Sequence, residues 1–239
     1  MATDDQKKVF VVSNSLMGLY KFRKELIYSL TQKYEVIILV PNTEYMNYFE
    51  SIGCQLFIYD FESRGTSFFR EFKLIAYYYR LVKKYNPELI LTYTIKPNIY
   101  MGLIARRYRI PHFATITGLG TSMSISRLRL ILMILYKKAL KKSTYVFFQN
   151  EANLLLMLNK NIVNNNAILV AGSGVNVDEY KWMDYPATNS LNFVFVGRIM
   201  KEKGIDYYIK AAEYFRNYRI PIIFHIVGSI SEVRYLDKI

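Results

Sequence analysis

Cysteine is nearly missing from this sequence: Cys54 stands alone in GCQLFIYD, so neither a disulfide framework nor a cysteine-based zinc site can form. A buried small hydrophobe is its expected role, with a reactive thiol as the alternative. Histidine is almost as scarce. His112 and His225 sit far apart in strand-like runs, and the absence of HExxH or a histidine cluster argues against a zinc enzyme. No Walker A motif, GxSxG elbow or kinase signature occurs, and the acids show no spacing that pairs them as glycosidase carboxylates. No run reaches the ~18 apolar residues of a membrane span. The opening MATDDQKKVF puts two acids where a signal peptide needs cations and an apolar core. The expected location is therefore cytoplasmic.

Acids are also in deficit, 19 Asp and Glu against 32 Lys and Arg, for a formal charge of +13. Such a surplus favours polyanionic partners: nucleic acid, anionic lipid or phosphorylated substrates. Charge alone does not choose among them. What is abundant is apolar and aromatic. Hydrophobic residues make up 52% of the 239, with 22 Tyr and 15 Phe, which excludes disorder.

Short β-rich runs recur at 8–12, 35–40, 54–60, 88–93, 112–117, 144–149 and 167–172. They are apolar nearly throughout, as strands buried on both faces are. Segments with helical spacing lie between most of them, at 20–33, 44–52, 67–85, 97–109, 127–142 and 150–160. Strand alternating with helix predicts right-handed βαβ units, and hence an α/β fold with a doubly wound parallel sheet over residues 1–185. The prolines of NP at 86–87 and IP at 110–111 end helices before the next strand. After residue 186 the pattern restarts with strand 191–197, helix 204–217 and strand 220–228. That is the β–α–β opening of a second domain, 186–239, and it is expected to be incomplete.

Ligands of open parallel sheets sit outside the strands' carboxyl ends, so the loops after strands carry the candidate sites. SNSLMGLYKFRKEL offers Gly18 just before a helix, suited to an anion, or a merely structural glycine. In TYTIKPNIY, Lys96 and Asn98 flank a proline fit for a first helical turn, with a solvated lysine as the alternative. TITGLGTSMS, holding Thr117 and Gly118, suits a hydroxyl-rich ligand or is only a loop, and AGSGVN is a flexible connection or a binding loop. VGRIMKEKG sets Gly197 at a strand end with Arg198 and Lys203 able to reach one site, groups suited to a diphosphate, or else a solvated cluster. Finally, SRLRLILMILYKKALKK places Arg127, Arg129, Lys137, Lys138, Lys141 and Lys142 around an apolar block. It is either a membrane-surface helix or a core helix with basic ends.

Taken in order, SNSLMGLYKFRKEL, LTYTIKPNIYMGLIARRYRIPHFATITGLGT, VFFQNEANL, GSGVNVDEY and FVFVGRIMKEKGIDYYIKAA resemble successive blocks of the bacterial family-4 retaining glycosyltransferases. These are enzymes with two facing Rossmann-like domains, the GT-B architecture. The nearest subgroup in pattern builds capsule, O-antigen or other glycans on a polyprenyl-diphosphate carrier.

The resemblance implies transfer of a hexose or N-acetylhexosamine from a UDP-sugar, with retention and with no metal or cofactor. It implies that Arg198 and Lys203 hold the donor diphosphate and stabilise departing UDP, with Gly18 and Gly197 beside them. Lys96, Asn98, Thr117 and Gly118 are expected on the acceptor side. Thr117 stands where many relatives have histidine, so no histidine role transfers. The family's acidic motif would lie past residue 239. The expectation is thus a truncated second domain and little activity, on the inner face of the plasma membrane. The alternatives are a non-catalytic module binding lipid-linked glycan or a partner glycosyltransferase, and, on charge alone, a nucleic-acid binder. No nucleic-acid motif supports the last.

Overall fold

The structure, a computed structural model, describes residues 6–59, 68–119, 126–187, 189–216, 218, 221–230 and 232–235. The chain divides into two compact units, Met1–Asn176 and Val177–Ile239.

In the first unit strands and helices alternate: β1 (Lys8–Val12), α1 (Leu16–Thr31), β2 (Glu35–Val40), α2 (Met46–Ser51), β3 (Gln55–Ile58), α3 (Phe68–Tyr85), β4 (Leu89–Tyr93), α4 (Ile95–Tyr108), β5 (His112–Ile116), α5 (Ser126–Leu140), β6 (Tyr145–Phe148), α6 (Glu151–Asn159) and β7 (Ala167–Leu169). All seven strands pair in parallel, in the order β3-β2-β1-β4-β5-β6-β7. This is the doubly wound, Rossmann-like sheet that the alternation predicts.

Both faces of the central strands are dry, and strand alternation sorts their side chains. Phe10 and Val12 of β1, Ile37 and Leu39 of β2 and Ile90 of β4 pack under α3 and α4. Val9, Val11, Val36 and Ile38 point the other way, under α1 and α2. Ala114, Ile116, Val146 and Phe148 continue the first face under α4, α5 and α6. The opposite half-face, beyond α1, carries a cluster of Phe113, Tyr145 and Phe147 rings with centroids 5.3–6.2 Å apart. No helix among the described residues of the first unit covers it, and Tyr145 is exposed.

Two helices start earlier than the sequence pattern places them by two residues or more. α1 begins at Leu16 rather than 20 because Ser15 caps it, its Oγ accepting from the Gly18 N–H at 3.0 Å. α4 begins at Ile95 rather than 97, so Pro97 falls in the first turn, where its missing N–H costs no helical bond.

The second unit holds β8 (Leu191–Val196), α7 (Ile205–Phe215) and β9 (Ile222–Val227), with β8 and β9 paired in parallel over six residues. Its core is Ile199, Ile205 and Tyr235. Beyond the strands the chains nearly touch: a Cβ on Gly228 would fall 1.8 Å from the Gly197 carbonyl oxygen, so only glycine fits at 228.

Candidate functional site

The strand order reverses between β1 and β4, and the crevice outside the carboxyl ends at such a reversal is where open parallel sheets bind ligands. Three loops adjoin there. β1 and β4 stay in register to Val12 and Thr92, and β4 and β5 to Tyr93 and Thr115.

The loop after β1 corrects one expectation. Gly18 is not ahead of the helix but at its third position, where its N–H is taken by Ser15 Oγ. The Leu16 N–H is likewise held by Asn42 Oδ1 at 2.8 Å. A Cβ on Gly18 would meet Ser15 at an ordinary 3.5 Å. Gly18 therefore presents no free N–H, and a side chain would fit in its place.

The loop after β4 is unusual at Thr94, whose φ of 72° and ψ of 167° fall in a region that side chains rarely adopt. Its Oγ1 is buried, with no hydrogen-bond partner. Two residues on, Lys96 Nζ donates to Glu71 Oε1 at 2.6 Å, and the Tyr100 hydroxyl donates to Glu71 Oε2 at 2.6 Å. Burial first, then the adjoining Glu71 carboxylate, raise the Tyr100 phenol well above its ordinary value, so it stays a donor. The predicted lysine is thus an anchored, partly buried cation.

Asn98 is a second correction. It is 1% exposed and spent on an internal network rather than on an acceptor. Burial lowers the His112 imidazole to about 3, so it is neutral and one ring nitrogen must accept. A single direction then satisfies every member. Ser143 Oγ donates to His112 Nδ1 at 2.8 Å, and His112 Nε2 donates to Thr92 Oγ1 at 2.8 Å. Thr92 Oγ1 donates to Asn98 Oδ1 at 2.6 Å, and Asn98 Nδ2 to the Thr115 carbonyl at 2.9 Å. This chain ties β4, α4 and β5 to the turn after α5.

In the loop after β5, Thr117 is exposed, and nothing lies within 4 Å of where a Gly118 Cβ would stand. Thr117, Gly118 and Lys96 therefore remain together at neighbouring strand ends. Cys54 is buried, and burial raises its thiol to about 12, which makes it an inert hydrophobe. Among the described residues no three His, Cys, Asp or Glu side chains gather.

In the second unit Gly197 ends β8, and Arg198 and Lys203 are both exposed within the next six residues. Lys203 closes a single 3-10 turn, Lys201–Lys203, before the left-handed Gly204. The turn is braced from behind: the Lys201 N–H donates to Glu232 Oε1 at 3.1 Å and the Ile199 N–H to the Ser229 carbonyl at 2.9 Å. Among the described residues neither Arg198 nor Lys203 forms an ion pair, whereas Arg234 is held by Glu232 at 2.7 Å.

On α5 and just past it Arg129, Lys137, Lys138, Lys141 and Lys142 are exposed, and the Arg127 side chain lies outside the described residues.

A profile of the glycosyl transferase 4-like family matches residues 10–150. The chain belongs to this family. Among curated proteins it is 26% identical over 180 residues to the N,N'-diacetylbacillosaminyl-diphospho-undecaprenol alpha-1,3-N-acetylgalactosaminyltransferase of Campylobacter jejuni, a match covering 72% of this chain and 48% of that protein. It thus spans about half that relative's length. Among solved structures, a glycosyltransferase from Rickettsia africae superposes with a TM-score of 0.68 at 14% identity, covering 98% of this chain and 63% of that one. Anabaena HepE in complex with UDP and glucose superposes at 0.69 and 12% identity, covering 97% and 63%. At such identities these two structures speak to fold.

Sequence reasoning missed Glu71, Tyr100 and Thr94. Tyr100 was within reach, because one helical turn puts it on the same side of α4 as Lys96. Glu71 comes from a different helix 25 residues earlier, and no local signal marks it.

Proposed function

We propose that this family-4 chain serves a glycosyltransferase that moves a hexose or N-acetylhexosamine from a UDP-sugar to a polyprenyl-diphosphate-linked glycan, with retention, on the cytoplasmic face of a membrane. The observation that carries the donor half is the pair Arg198 and Lys203, two exposed cations with no carboxylate partner among the described residues, on a braced turn beyond a strand end. A guanidinium and an ammonium so placed match a diphosphate, and they stabilise the charge that grows on UDP as the sugar–phosphate bond breaks. Lys96, Thr117 and Gly118 supply the acceptor side. The acceptor class is supported by the Campylobacter relative, whose name specifies a diphospho-undecaprenol-linked sugar.

Incubating the protein with a polyprenyl-diphosphate-linked saccharide and a panel of UDP-sugars, followed by chromatography of the lipid products, tests this. Any transfer from one of them should fall about a hundredfold or more in Arg198→Ala and in Lys203→Ala. Undiminished transfer in both variants would overturn the donor assignment. Saturable acceptor binding with no transfer from any donor would make the chain a binding module instead.

A further inference from the structure

α3, α4 and α5 carry five, three and four cations but a single acid, Glu71. On so basic a layer a diphosphate would find bare cations in plenty, yet the one acid is placed on Lys96. Glu71 accepts from Lys96 Nζ and from the Tyr100 hydroxyl, each at 2.6 Å. The Glu71 and Lys96 side chains keep 20% and 25% of their surface open. The clasp can therefore be reached by a ligand, and its two charges cancel.

Its hydrogen-bonding character follows from the lone pairs. An ionised carboxylate has about four acceptor positions, and Lys96 and Tyr100 take one on each oxygen of Glu71. The Tyr100 phenol, held above its ordinary range by burial and by that carboxylate, keeps its proton and directs it to Glu71. Glu71 and Tyr100 thus offer acceptors, and what they match is a donor. The oxygens of a diphosphate linking a lipid to a sugar are acceptors only. Such a group would also bring its negative charge up to Glu71, which opposes at short range what Lys96 attracts. Sugar hydroxyls and acetamido N–H groups are uncharged donors and meet neither objection.

The neighbouring loop suits the same ligand. Asn98 Nδ2 donates to the Thr115 carbonyl at 2.9 Å, which ties the first turn of α4 to the end of β5 two residues before Thr117. Thr117 is exposed there and adds a hydroxyl, while nothing lies within 4 Å of where a Gly118 Cβ would stand.

We propose that Glu71, clasped by Lys96 and Tyr100, is the specificity-determining group of a subsite that takes a sugar ring of the acceptor by its hydroxyl or acetamido donors and rejects the carrier's diphosphate. Rejection comes from the built-in carboxylate, an unfavourable charge set against the wrong ligand. The inference rests on the acceptor-side reading of Lys96, Thr117 and Gly118, and names the part of the acceptor that lies there.

The test is an amide-resolved NMR titration of the protein with the methyl glycosides of glucose, galactose, N-acetylglucosamine and N-acetylgalactosamine, and with inorganic diphosphate. At least one glycoside should move the Thr117 and Gly118 signals saturably, and diphosphate should not displace it. Glu71→Gln keeps the shape of the side chain and removes its charge, with a melting curve to verify folding. In that variant glycoside binding should weaken on the order of tenfold, whereas diphosphate binding read at the same signals should strengthen, because Lys96 is no longer opposed. A merely structural Glu71 would weaken both probes alike. The proposal is overturned by glycosides that leave those signals still, by diphosphate displacing a glycoside from the wild type, by unchanged glycoside binding in the folded variant, or by a parallel loss of both probes. The wild-type competition decides alone if Glu71→Gln does not fold. Glycoside binding at those signals without transfer from any UDP-sugar would leave this subsite standing and sink the transferase reading; transfer whose acceptor KM is unchanged in Glu71→Gln would do the reverse.

Discussion

At residue scale the structure turns on groups whose partners leave them no freedom. His112 is neutral because it is wholly buried, with its ring lowered to about 3 from an ordinary 6.5. Its folded-state affinity for a proton is below the unfolded one, so its contribution is complete above pH 6.5 and declines as pH falls toward 3. We expect the first unit to lose about 1.4 kcal/mol per pH unit between 6.5 and 5, before carboxylates begin to protonate. Thermal melting across that range checks it, and a His112→Asn variant, though weaker at pH 7, should lose the slope. Thr94 is the opposite case, a residue kept in spite of its backbone. At φ 72° and ψ 167° a threonine costs about 1–3 kcal/mol, and its unpartnered hydroxyl adds to that. Thr94→Gly should therefore melt higher. If the strain serves the crevice beside Lys96, the same variant should transfer sugar more slowly, and a melt paired with a transfer assay reads both.

At element scale the tightest junction is α4 against α5. A Cβ on Gly102 would come within 3.1 Å of Ala139 Cβ and of His112 Cε1, so the two helices approach backbone to side chain with the histidine wedged between. Gly102→Val would overpack this contact and should destabilise the first unit by about 1–3 kcal/mol, measurable in urea. The elements themselves were legible in the sequence. Strands buried on both faces read as unbroken apolar runs, and each is followed by a helical period, which predicts the parallel sheet. What the pattern could not give was how the helix starts are satisfied. Ser15 reaches forward to Gly18 and Asn42 reaches across from the loop after β2, so a glycine read as a phosphate cradle is part of a finished cap. Asn98 misled for a similar reason: its position after a strand suggested a ligand, but its partners Thr92 and Thr115 come from two strands.

At the scale of the whole molecule, the chain order of motifs sufficed for the family, because five weak blocks in sequence constrain far more than any one does. Charge location did not follow from charge total. The surplus was visible in composition, but its concentration on α3, α4 and α5 emerges only when right-handed crossovers stack those three helices on one side. The exposure of Phe69 and Phe72 likewise needs the fold, since in sequence they look like ordinary core residues of an amphipathic helix. The restart of the strand–helix pattern was legible, but not the place of division, which falls at Asn176–Val177 rather than after residue 185.

The ring cluster of Phe113, Tyr145 and Phe147 beyond α1 brings one ring, Tyr145, to the surface, a contact through which crowded copies can meet. Copies bearing +13 repel one another, but salt screens that repulsion to about 10 Å at 0.1 M, whereas it does not screen the attraction of apolar surfaces in contact. Dilute buffer keeps such molecules apart, and strong buffer removes the fence and lets them cling.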